Sequence, residues 1–253
     1  MIDPTTLTVC VTGATSGIGE ACARRYAKAG ARVVVTGRRR ERLDALQAEL
    51  GDRLHVLALD VRDRAAVEKA FAGLPSAFAE IDVLVNNAGL ALGLEKAPEA
   101  DLDDWDTMVD TNIKGLMYCT RTLLPGMVAR DRGHVVNLSS VAGSYPYPGG
   151  NVYGGTKAFV TQFSLNLRAD LLGSRVRVTS VEPGMTETEF SEVRFKGDGG
   201  KAKQVYAGLQ PMTGADIADA VFWLTTFNAH VNVNRIELMP VMQAFGPFSV
   251  HRG

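Results

Sequence analysis

A tyrosine and a lysine lie four positions apart in the stretch YGGTK, as Tyr153 and Lys157. Residues four apart on a helix share a face, so the phenol and the ammonium group would be neighbours. Free tyrosine and lysine both titrate at about pH 10, so neither is an effective general acid or base at neutral pH. A nearby cation favours the phenolate and lowers the pKa of a tyrosine. The spacing suggests an acid–base pair, although the same pattern also occurs on helices without any catalytic role.

A glycine-rich turn follows the first apolar run of the chain, in TVCVTGATSGIGEA. Glycine lets the backbone turn sharply and approach a pyrophosphate, while the start of the next helix offers unpaired N–H groups and partial positive charge. The position between a strand and an amphipathic helix favours a dinucleotide-binding loop over a purely structural turn. We expect coenzyme contacts from Gly13, Thr15, Ser16, Gly17, Ile18 and Gly19.

The second apolar run ends in VVVTGRRRERL, with Gly37 followed by Arg38, Arg39 and Arg40. Enzymes that use NAD usually place a carboxylate here to hold the ribose 2′-hydroxyl. A carboxylate would repel a 2′-phosphate, whereas an arginine fork binds one through two hydrogen bonds. The sequence therefore predicts NADP as the cofactor, with Arg38 and Arg39 as phosphate contacts. The alternative is a solvated basic helix start, although cations are mildly unfavourable at a helix N-terminus.

Apolar runs that resemble buried strands alternate with longer helical patterns along the whole chain. The predicted strands span 7–12, 32–37, 54–60, 81–87, 133–140, 176–184 and 235–241. The predicted helices span 17–29, 40–50, 64–73, 103–130, 152–172 and 214–227. This alternation predicts a doubly wound α/β fold with a parallel sheet, in one domain over 1–253, with loops meeting over a shared crevice. The polar, glycine-rich segment 185–212 is irregular and is expected to be a substrate lid.

Several motifs occur in an order that resembles the short-chain dehydrogenase/reductase family, namely TGATSGIG, NNAG, NLSS, YGGTK and EPG. The resemblance spans nearly the whole chain. Within that family the chain also resembles bacterial NADP-dependent 3-hydroxy acid dehydrogenases, also described as serine or allo-threonine dehydrogenases. The stretches that carry this second resemblance are NNAGLALG, DWDTMVDTNIKGL, GGNVYGGTKAFV, TEFSEVRFKGD, AHVN and the closing SVHRG.

The resemblance implies a Rossmann-type, seven-stranded parallel sheet and hydride transfer between NADP(H) and an alcohol or carbonyl. It implies that the catalytic residues are Asn112, Ser140, Tyr153 and Lys157, with Asn112 anchoring a water next to Lys157. Ser140 is preferred to its neighbour Ser139, because the family motif places its serine just before the VAG ending. Tyr153 and Lys157 would also touch the coenzyme. Further implied coenzyme contacts are Asp60, Val61, Asn86, Asn87, Ala88, Gly89, Pro183, Gly184, Thr186 and Thr188.

A hydroxy acid substrate needs a cation for its carboxylate, and Arg194 and Lys196 are candidates in the irregular segment. Arginine suits two-point carboxylate recognition better, but a solvated charge on the lid would equally explain Arg194. Ser140 and Tyr153 would face the reacting group, and Tyr145 or Tyr147 could wall the pocket. The expected substrates are small 3-hydroxy acids such as serine, allo-threonine or 3-hydroxypropionate, the last paired with malonic semialdehyde.

Three other functions remain open at this stage. One is a general NADP-dependent ketoreductase that acts on neutral or thioester carbonyls. Another is an epimerase or dehydratase, although those relatives carry additional C-terminal structure for which 253 residues leave little room. The last is a non-catalytic NADP-binding sensor, which is disfavoured because all four catalytic positions are filled.

Composition limits the partners. The 253 residues carry a formal net charge of −1 and are 46% hydrophobic, which favours a large core and indicates neither nucleic acid nor membrane as a partner. The start of the chain shows no secretory signal pattern, so we expect a cytoplasmic protein with Cys10, Cys22 and Cys119 as buried thiols. The histidines show no metal-ligand spacing, so no metal is expected. The resemblance implies a homotetramer, with a dimer as the second choice.

Overall fold

The computed structural model describes residues 1–246. Its main sheet is parallel, and its strands follow the order β3-β2-β1-β4-β5-β6-β9. These strands are β1 (Thr8–Val11), β2 (Arg32–Gly37), β3 (Leu54–Ala58), β4 (Val83–Asn86), β5 (Gly133–Leu138), β6 (Val176–Pro183) and β9 (Arg235–Leu238). A separate parallel pair consists of β7 (Thr186–Glu187) and β8 (Met212–Thr213). The predicted doubly wound, seven-stranded Rossmann fold is confirmed.

Helices connect the strands and cover both faces of the sheet. They are α1 (Gly17–Lys28), α2 (Arg40–Leu50), α3 (Arg64–Ala72), α4 (Ser76–Ala79), α5 (Leu102–Val109), α6 (Leu116–Ala129), α7 (Asn151–Asp170), α8 (Phe190–Arg194), α9 (Gly199–Gln204) and α10 (Gly214–Thr226). The strands are short and rich in valine, which suits a sheet buried on both faces.

Alternate residues of each strand enter two separate cores. In β1, Val9 and Val11 pack with Tyr26 of α1 and Val221 of α10, whereas Cys10 packs on the opposite face with residues that include Met127 of α6. This alternation follows from the two-residue side-chain period of a strand. The two cores fix the sheet between its helical layers, so the loops at the strand ends are held by a rigid frame.

The direction of chain winding reverses between β1 and β4. From β1 the chain moves outward through β2 and β3, and from β4 it moves the other way through β5, β6 and β9. In open α/β sheets, ligands bind in the crevice beyond the carboxyl ends of the strands at such a switch point. The loops after β1 to β6 carry many of the residues that the sequence singled out.

Two predicted elements differ from the structure. The helix predicted over 103–130 is two helices, α5 and α6, joined by a π-helical turn at Asp110–Gly115. Such turns interrupt the regular hydrogen-bond ladder and occur frequently at functional sites. The lid predicted at 185–212 is not wholly irregular, because it contains α8, α9 and the β7–β8 pair. These elements are too short to produce a periodic apolar pattern.

The three cysteines are free and buried, and burial raises the pKa of Cys22 and of Cys119 to about 12. None of the helices in residues 1–246 is both long and apolar enough to cross a bilayer. Over the same range, no group of three or more histidine, cysteine, aspartate or glutamate side chains could hold a metal ion. The motif SVHRG, including His251, and the end of the apolar tail lie outside the described residues.

Candidate active site

A cleft of about 800 Å³ opens at the carboxyl ends of the strands around the switch point. Its floor is formed by the glycine loop, by the loops that follow β4 and β5, and by the turn after β6. Residues of the predicted lid segment, 185–212, line one side. Its volume lies within the range of about 300 to 1,000 Å³ that is usual for small-molecule binding sites.

The glycine loop leaves no room for side chains at two of its positions. Gly13 has a φ of 69°, and a Cβ there would lie 2.8 Å from the Cα of Ala88. Gly17 has a φ of 56°, and a Cβ there would lie 3.1 Å from the Cβ of Thr188. Both values of φ lie in the left-handed region that favours glycine. The loop therefore exposes bare backbone to the cleft just where α1 begins, as pyrophosphate binding requires.

The NNAG segment supports this loop from below. The Asn87 side chain donates to the Thr12 and Gly13 carbonyls at 2.9 and 3.1 Å. The Thr12 hydroxyl in turn accepts from the backbone N–H groups of Asn87 and Ala88, both at 3.0 Å. These bonds join the ends of β1 and β4 across the switch point, so the shape of the loop is set before any ligand arrives.

Most of the predicted coenzyme contacts line the cleft, and two lie elsewhere. Those that line it are Gly13, Thr15, Ser16, Gly17, Ile18, Arg38, Arg39, Asp60, Val61, Asn87, Ala88, Gly89, Tyr153, Lys157, Pro183, Gly184, Thr186 and Thr188. Gly19 is instead buried in the first turn of α1, where a Cβ would collide with the Gly13 carbonyl. The Asn86 side chain lies within the sheet, bonded to Thr120 at 2.8 Å and Asn137 at 2.9 Å.

The two predicted phosphate-binding arginines have different surroundings. Arg38 is exposed at the rim of the cleft and forms no hydrogen bond or ion pair with other described residues. Arg39 is half-buried and is bonded to Thr15, Ser16 and Glu189. Asp60 forms an ion pair with Arg62 at 2.7 Å, and hydrogen bonding to Arg62 holds the pKa of the Asp60 carboxyl below its usual value.

Tyr153 and Lys157 lie one turn apart at the start of α7, and both side chains are buried. The Lys157 ammonium donates to the Leu138 carbonyl at 2.8 Å and lies 5.8 Å from the centre of the Tyr153 ring. Burial lowers the pKa of Lys157 to about 8. The helix thus places the pair together on one face, as its spacing predicts.

The electrostatics of Tyr153 differ from the expectation. Burial raises the pKa of Tyr153 to about 12, while hydrogen bonding to Ser140 and the charge of Arg194 act in the opposite direction. Arg194, which the spacing did not indicate, is a cation that lowers this pKa. Burial dominates because the phenol is enclosed by apolar neighbours, among them Phe190, whose ring centre is 5.6 Å away.

The two adjacent serines at the end of β5 face different ways. The Ser140 hydroxyl accepts from the Ala142 N–H at 3.1 Å and donates weakly to the Pro183 carbonyl at 3.3 Å. The Ser139 hydroxyl donates to the Lys157 carbonyl at 2.7 Å and bonds to Thr161 at 2.8 Å. Ser140 is thus beside the phenol, while Ser139 ties the strand to α7.

Asn112 occupies the π-helical turn and is buried. Its side-chain amide exchanges two bonds with the Leu90 backbone, each at 2.8 Å, and donates to the Thr156 hydroxyl at 3.0 Å. Thr156 in turn donates to the Tyr153 carbonyl at 2.8 Å. The side chain therefore links the loop after β4 to the first turn of α7.

One end of the cleft carries a cation between two aromatic rings. The Arg194 guanidinium lies 5.3 Å from the ring centre of Tyr153 and 5.5 Å from that of Tyr147. It donates to the Gly93 carbonyl at 3.2 Å and to the Tyr147 hydroxyl at 2.5 Å. Lys196, the other candidate, lies away from this end and pairs with Asp104 at 2.9 Å. The Tyr145 ring lines the cleft and packs at a tilt against Phe245, with the ring centres 4.6 Å apart.

The sequence did not single out the apolar wall of the cleft or one of its charges. The wall includes Leu94, Phe190, Val193 and Phe195, and the missed charge is Glu189. All but Leu94 lie in the lid segment, where no periodicity indicates which side chains point inward. The only sequence feature that pointed to Glu189 as a cleft residue is its location in the predicted lid segment.

Comparison with known proteins agrees with this geometry. A family model described as short chain dehydrogenase matches residues 7–198. The chain is 58% identical over 245 residues to the NADP-dependent 3-hydroxy acid dehydrogenase YdfG of Escherichia coli, covering 96% of this chain and 99% of that protein. It is 57% identical to the serine 3-dehydrogenase of Agrobacterium fabrum, covering 97% and 98%. A solved closed form of serine dehydrogenase complexed with NADP+ superposes with a TM-score of 0.96 at 57% identity, covering 97% of this chain and 99% of that one.

Proposed function

The chain belongs to the short-chain dehydrogenase family, and from that premise we propose that it is an NADP-dependent dehydrogenase of small 3-hydroxy acids. Its reaction transfers a hydride between NADP(H) and the hydroxyl or carbonyl at C3 of such an acid. Serine, allo-threonine and 3-hydroxypropionate, with malonic semialdehyde as the oxidised partner of the last, are the substrates we propose to be accepted.

Three features support NADP as the coenzyme. The glycine loop turns through left-handed backbone at Gly13 and Gly17 and leads into the N-terminus of α1, whose unpaired N–H groups suit a pyrophosphate. Arg38 stands at the cleft rim with its charge available to a 2′-phosphate, and no carboxylate occupies position 37. Among the similar proteins, the YdfG dehydrogenase is described as NADP-dependent, and a serine dehydrogenase was solved as a complex with NADP+.

The bound coenzyme would supply or accept the hydride at its nicotinamide, and the protein residues would handle the proton and the geometry. In the oxidative direction, the Tyr153 oxygen accepts the proton of the substrate hydroxyl; in the reductive direction it returns that proton to the new hydroxyl. The Lys157 ammonium donates one N–H to the Leu138 carbonyl, and its other two N–H groups can donate to the ribose hydroxyls of the coenzyme.

Ser140 is suited to hold the substrate oxygen. Its present bond to the Pro183 carbonyl is long, at 3.3 Å, so little is lost when the hydroxyl turns towards a substrate. Its lone pair remains fixed by the Ala142 N–H. A hydroxyl held in this way can stabilise the charge that develops on the reacting oxygen. Asn112 contributes by fixing Leu90 and Thr156, which keeps the first turn of α7 in position.

The observation that carries the choice of a carboxylate substrate is the position of Arg194. Its guanidinium reaches the reactive end of the cleft, and its contacts to Gly93 and Tyr147 hold it there. A neutral ketone would leave this partly buried charge without a counter-ion. A carboxylate two carbons from the reacting carbon would pair with it. Tyr147 would support that subsite through its hydroxyl.

A substrate panel followed by NADPH absorbance tests this function. We expect turnover with L-serine, L-allo-threonine and 3-hydroxypropionate, and much weaker turnover with a neutral alcohol of the same size, such as 1-propanol. Equal or faster turnover of neutral alcohols and ketones would favour a general ketoreductase instead. A parallel series with NAD should be slower at every substrate.

We also propose that the chain associates with itself as a homotetramer. Apolar side chains are exposed on α6 at Met117 and Val128, and on α10 at Trp223. Val241 and Phe245, near the end of the described residues, are exposed as well. These exposed apolar side chains are the candidate contacts between subunits. Sedimentation equilibrium at micromolar concentration would return four chain masses, whereas a single chain mass would refute the assembly.

A further inference from the structure

Arg39 uses its guanidinium to join two parts of the cleft wall. On one side it donates to the Thr15 hydroxyl at 3.0 Å and to the Ser16 hydroxyl at 2.9 Å, both in the glycine loop. On the other side it forms an ion pair of 2.8 Å with Glu189, which immediately precedes α8 in the lid segment. Most of its donors are therefore engaged by the protein itself.

Glu189 is the matching anchor on the lid. It accepts from Arg39 at 2.8 Å and from Arg42 at 3.3 Å, and hydrogen bonding to Arg39 holds the pKa of the carboxyl below its usual value. Its neighbour Thr188 lies so close to the loop that a Cβ on Gly17 would be 3.1 Å from it. The beginning of the lid thus rests directly on the glycine loop.

The neighbouring arginine has none of these attachments. Arg38 is exposed at the rim of the same cleft and makes no hydrogen bond to any of residues 1–246. A phosphate is best bound by a guanidinium whose donors are not already saturated. A carboxylate at 2.8 Å from Arg39 would also repel a second anion placed on that guanidinium.

We propose that Arg39 and Glu189 form a clamp that fastens the lid to the glycine loop over bound coenzyme, and that 2′-phosphate recognition belongs to Arg38 alone. The inference rests on the proposed coenzyme, and it narrows the sequence-based prediction that both arginines bind the phosphate. The clamp acts on lid opening, so it governs the release of either coenzyme irrespective of a 2′-phosphate.

The expected size of the effect follows from the exposure of the pair. The side chains are 39% and 33% exposed, so solvent screens part of their attraction. Ion pairs of this kind change an equilibrium by about two- to tenfold, with charge-assisted hydrogen bonds to a fixed loop towards the upper end. We therefore expect a severalfold faster release of coenzyme when the clamp is broken.

The experiment measures coenzyme release without any substrate. NADPH or NADH is bound to the intact protein, and its dissociation rate is followed by stopped-flow fluorescence during displacement by excess NADP or NAD. E189Q and R39Q should raise the dissociation rates of NADPH and NADH by the same severalfold factor. R38Q should weaken the binding of NADPH and leave that of NADH unchanged. D44N is the matched control. It breaks the neighbouring ion pair between Arg40 and Asp44, whose atoms are 2.8 Å apart and which does not touch the lid, so it should alter neither rate.

Two results would overturn the clamp. If E189Q tightens NADPH binding and R39Q weakens NADPH alone, then Arg39 is a phosphate ligand and Glu189 its competitor. If E189Q leaves both dissociation rates unchanged, the ion pair has no influence on release. Hydrogen–deuterium exchange of the coenzyme-free protein gives a second reading, because E189Q should speed exchange in residues 186–204 relative to D44N. A failure to oxidise hydroxy acids would contradict the proposed substrate and would leave these binding results intact.

Discussion

The guanidinium of Arg194 lies 5.3 Å from the centre of the Tyr153 ring, so the lid places a positive charge beside the candidate catalytic phenol. Arg194 is the last residue of α8, while Tyr153 belongs to the first turn of α7. One cation can therefore serve two purposes. It is available to a substrate carboxylate, and it lowers the pKa of Tyr153 against the larger effect of burial.

Replacing Arg194 should separate acidic from neutral substrates. R194Q should raise KM for L-serine by about 10- to 100-fold, since a hydrogen-bonded charge contributes about 1.5–3 kcal/mol. R194K keeps the charge but loses the two-point fork, so its KM for L-serine should lie between the values for the wild type and R194Q. Turnover of a neutral ketone should change little in either variant. Steady-state kinetics with matched acidic and neutral substrates measures this, and an equal loss for both classes would contradict carboxylate recognition.

Replacing Tyr153 should remove the proton-transfer step and keep the binding site. Y153F deletes only the hydroxyl, so kcat should fall by about 10²–10⁴ in both directions. NADPH affinity, measured by fluorescence titration, should stay within a factor of about two, because the ring still fills its place against Phe190. Y147F is the control for loss of a nearby phenol. Retention of most of the activity in Y153F would exclude Tyr153 as the acid–base group.

The rate of substrate oxidation should increase with pH. Burial raises the pKa of Tyr153 to about 12, and the oxidative direction needs the phenolate. The rate of serine oxidation should therefore rise with pH, and carbonyl reduction should not gain from it. Because Arg194 lowers this pKa, R194Q should move the rising limb to higher pH. Profiles of kcat at saturating substrate test this, and a limb that stays in place would show that Arg194 does not act on the phenol.

The buried ion pair at the end of β6 should respond unequally to loss of its two partners. Glu182 is fully buried and accepts from Arg235 at 2.6 Å, from Ser180 at 2.9 Å and from Thr161 at 3.1 Å. The Arg235 side chain is 44% exposed. R235Q leaves a carboxylate buried without its cation and should cost about 3–5 kcal/mol of unfolding free energy. E182Q leaves a cation that water can reach, so it should cost about 1–3 kcal/mol.

Urea unfolding of the two variants gives the comparison directly. The informative result is which of the two variants loses more unfolding free energy, because both substitutions remove the same ion pair. If E182Q proves more destabilising than R235Q, the buried carboxylate does not depend on the arginine, and its two hydroxyl donors are sufficient. S144A removes a minor partner of Arg235, at 3.1 Å, and should be nearly neutral.

The sequence allowed the sheet and its crevice to be predicted because both depend on local patterns. Short valine-rich runs such as RVVVTG define strands by composition alone, and the glycine loop follows directly from the first of them. Tyr153 and Lys157 were predicted as neighbours because a helix fixes that relation whatever surrounds it. Ser140 and Asn112 needed the family resemblance, since no spacing rule joins them to α7.

The remainder depends on packing between distant segments. No pattern shows that Glu189 meets Arg39, because the two lie 150 positions apart and both could equally be solvated. The pKa of Tyr153 could not be predicted from its nearest cation in sequence, since burial and Arg194 are contributed by other elements. The π-helical turn at Asp110–Gly115 was predicted as ordinary helix, because one extra residue in a turn leaves the apolar period almost unchanged.

A buried histidine should make the fold sensitive to acid. His134 is buried in β5, and its Nε2 lies 2.8 Å from the Thr179 hydroxyl, which itself donates to the Val233 carbonyl at 2.7 Å. Nε2 must therefore donate, and Nδ1 has no partner among residues 1–246. Burial, reinforced by the charge of Arg177, holds the pKa of His134 well below its usual range.

The sign of the effect follows from that lowered pKa. The unfolded chain binds a proton at His134 below about pH 6.5, whereas the folded chain does not, so stability is complete above that pH and falls as the pH drops. The loss is at most about 1.4 kcal/mol per pH unit. H134Q can still donate to Thr179 and should show a flatter decline between about pH 6.5 and 5. The matched control is H230Q, which replaces an exposed histidine and should keep the wild-type slope. Urea unfolding at several pH values measures both, and identical slopes for H134Q and the wild type would mean that His134 takes no part in acid unfolding.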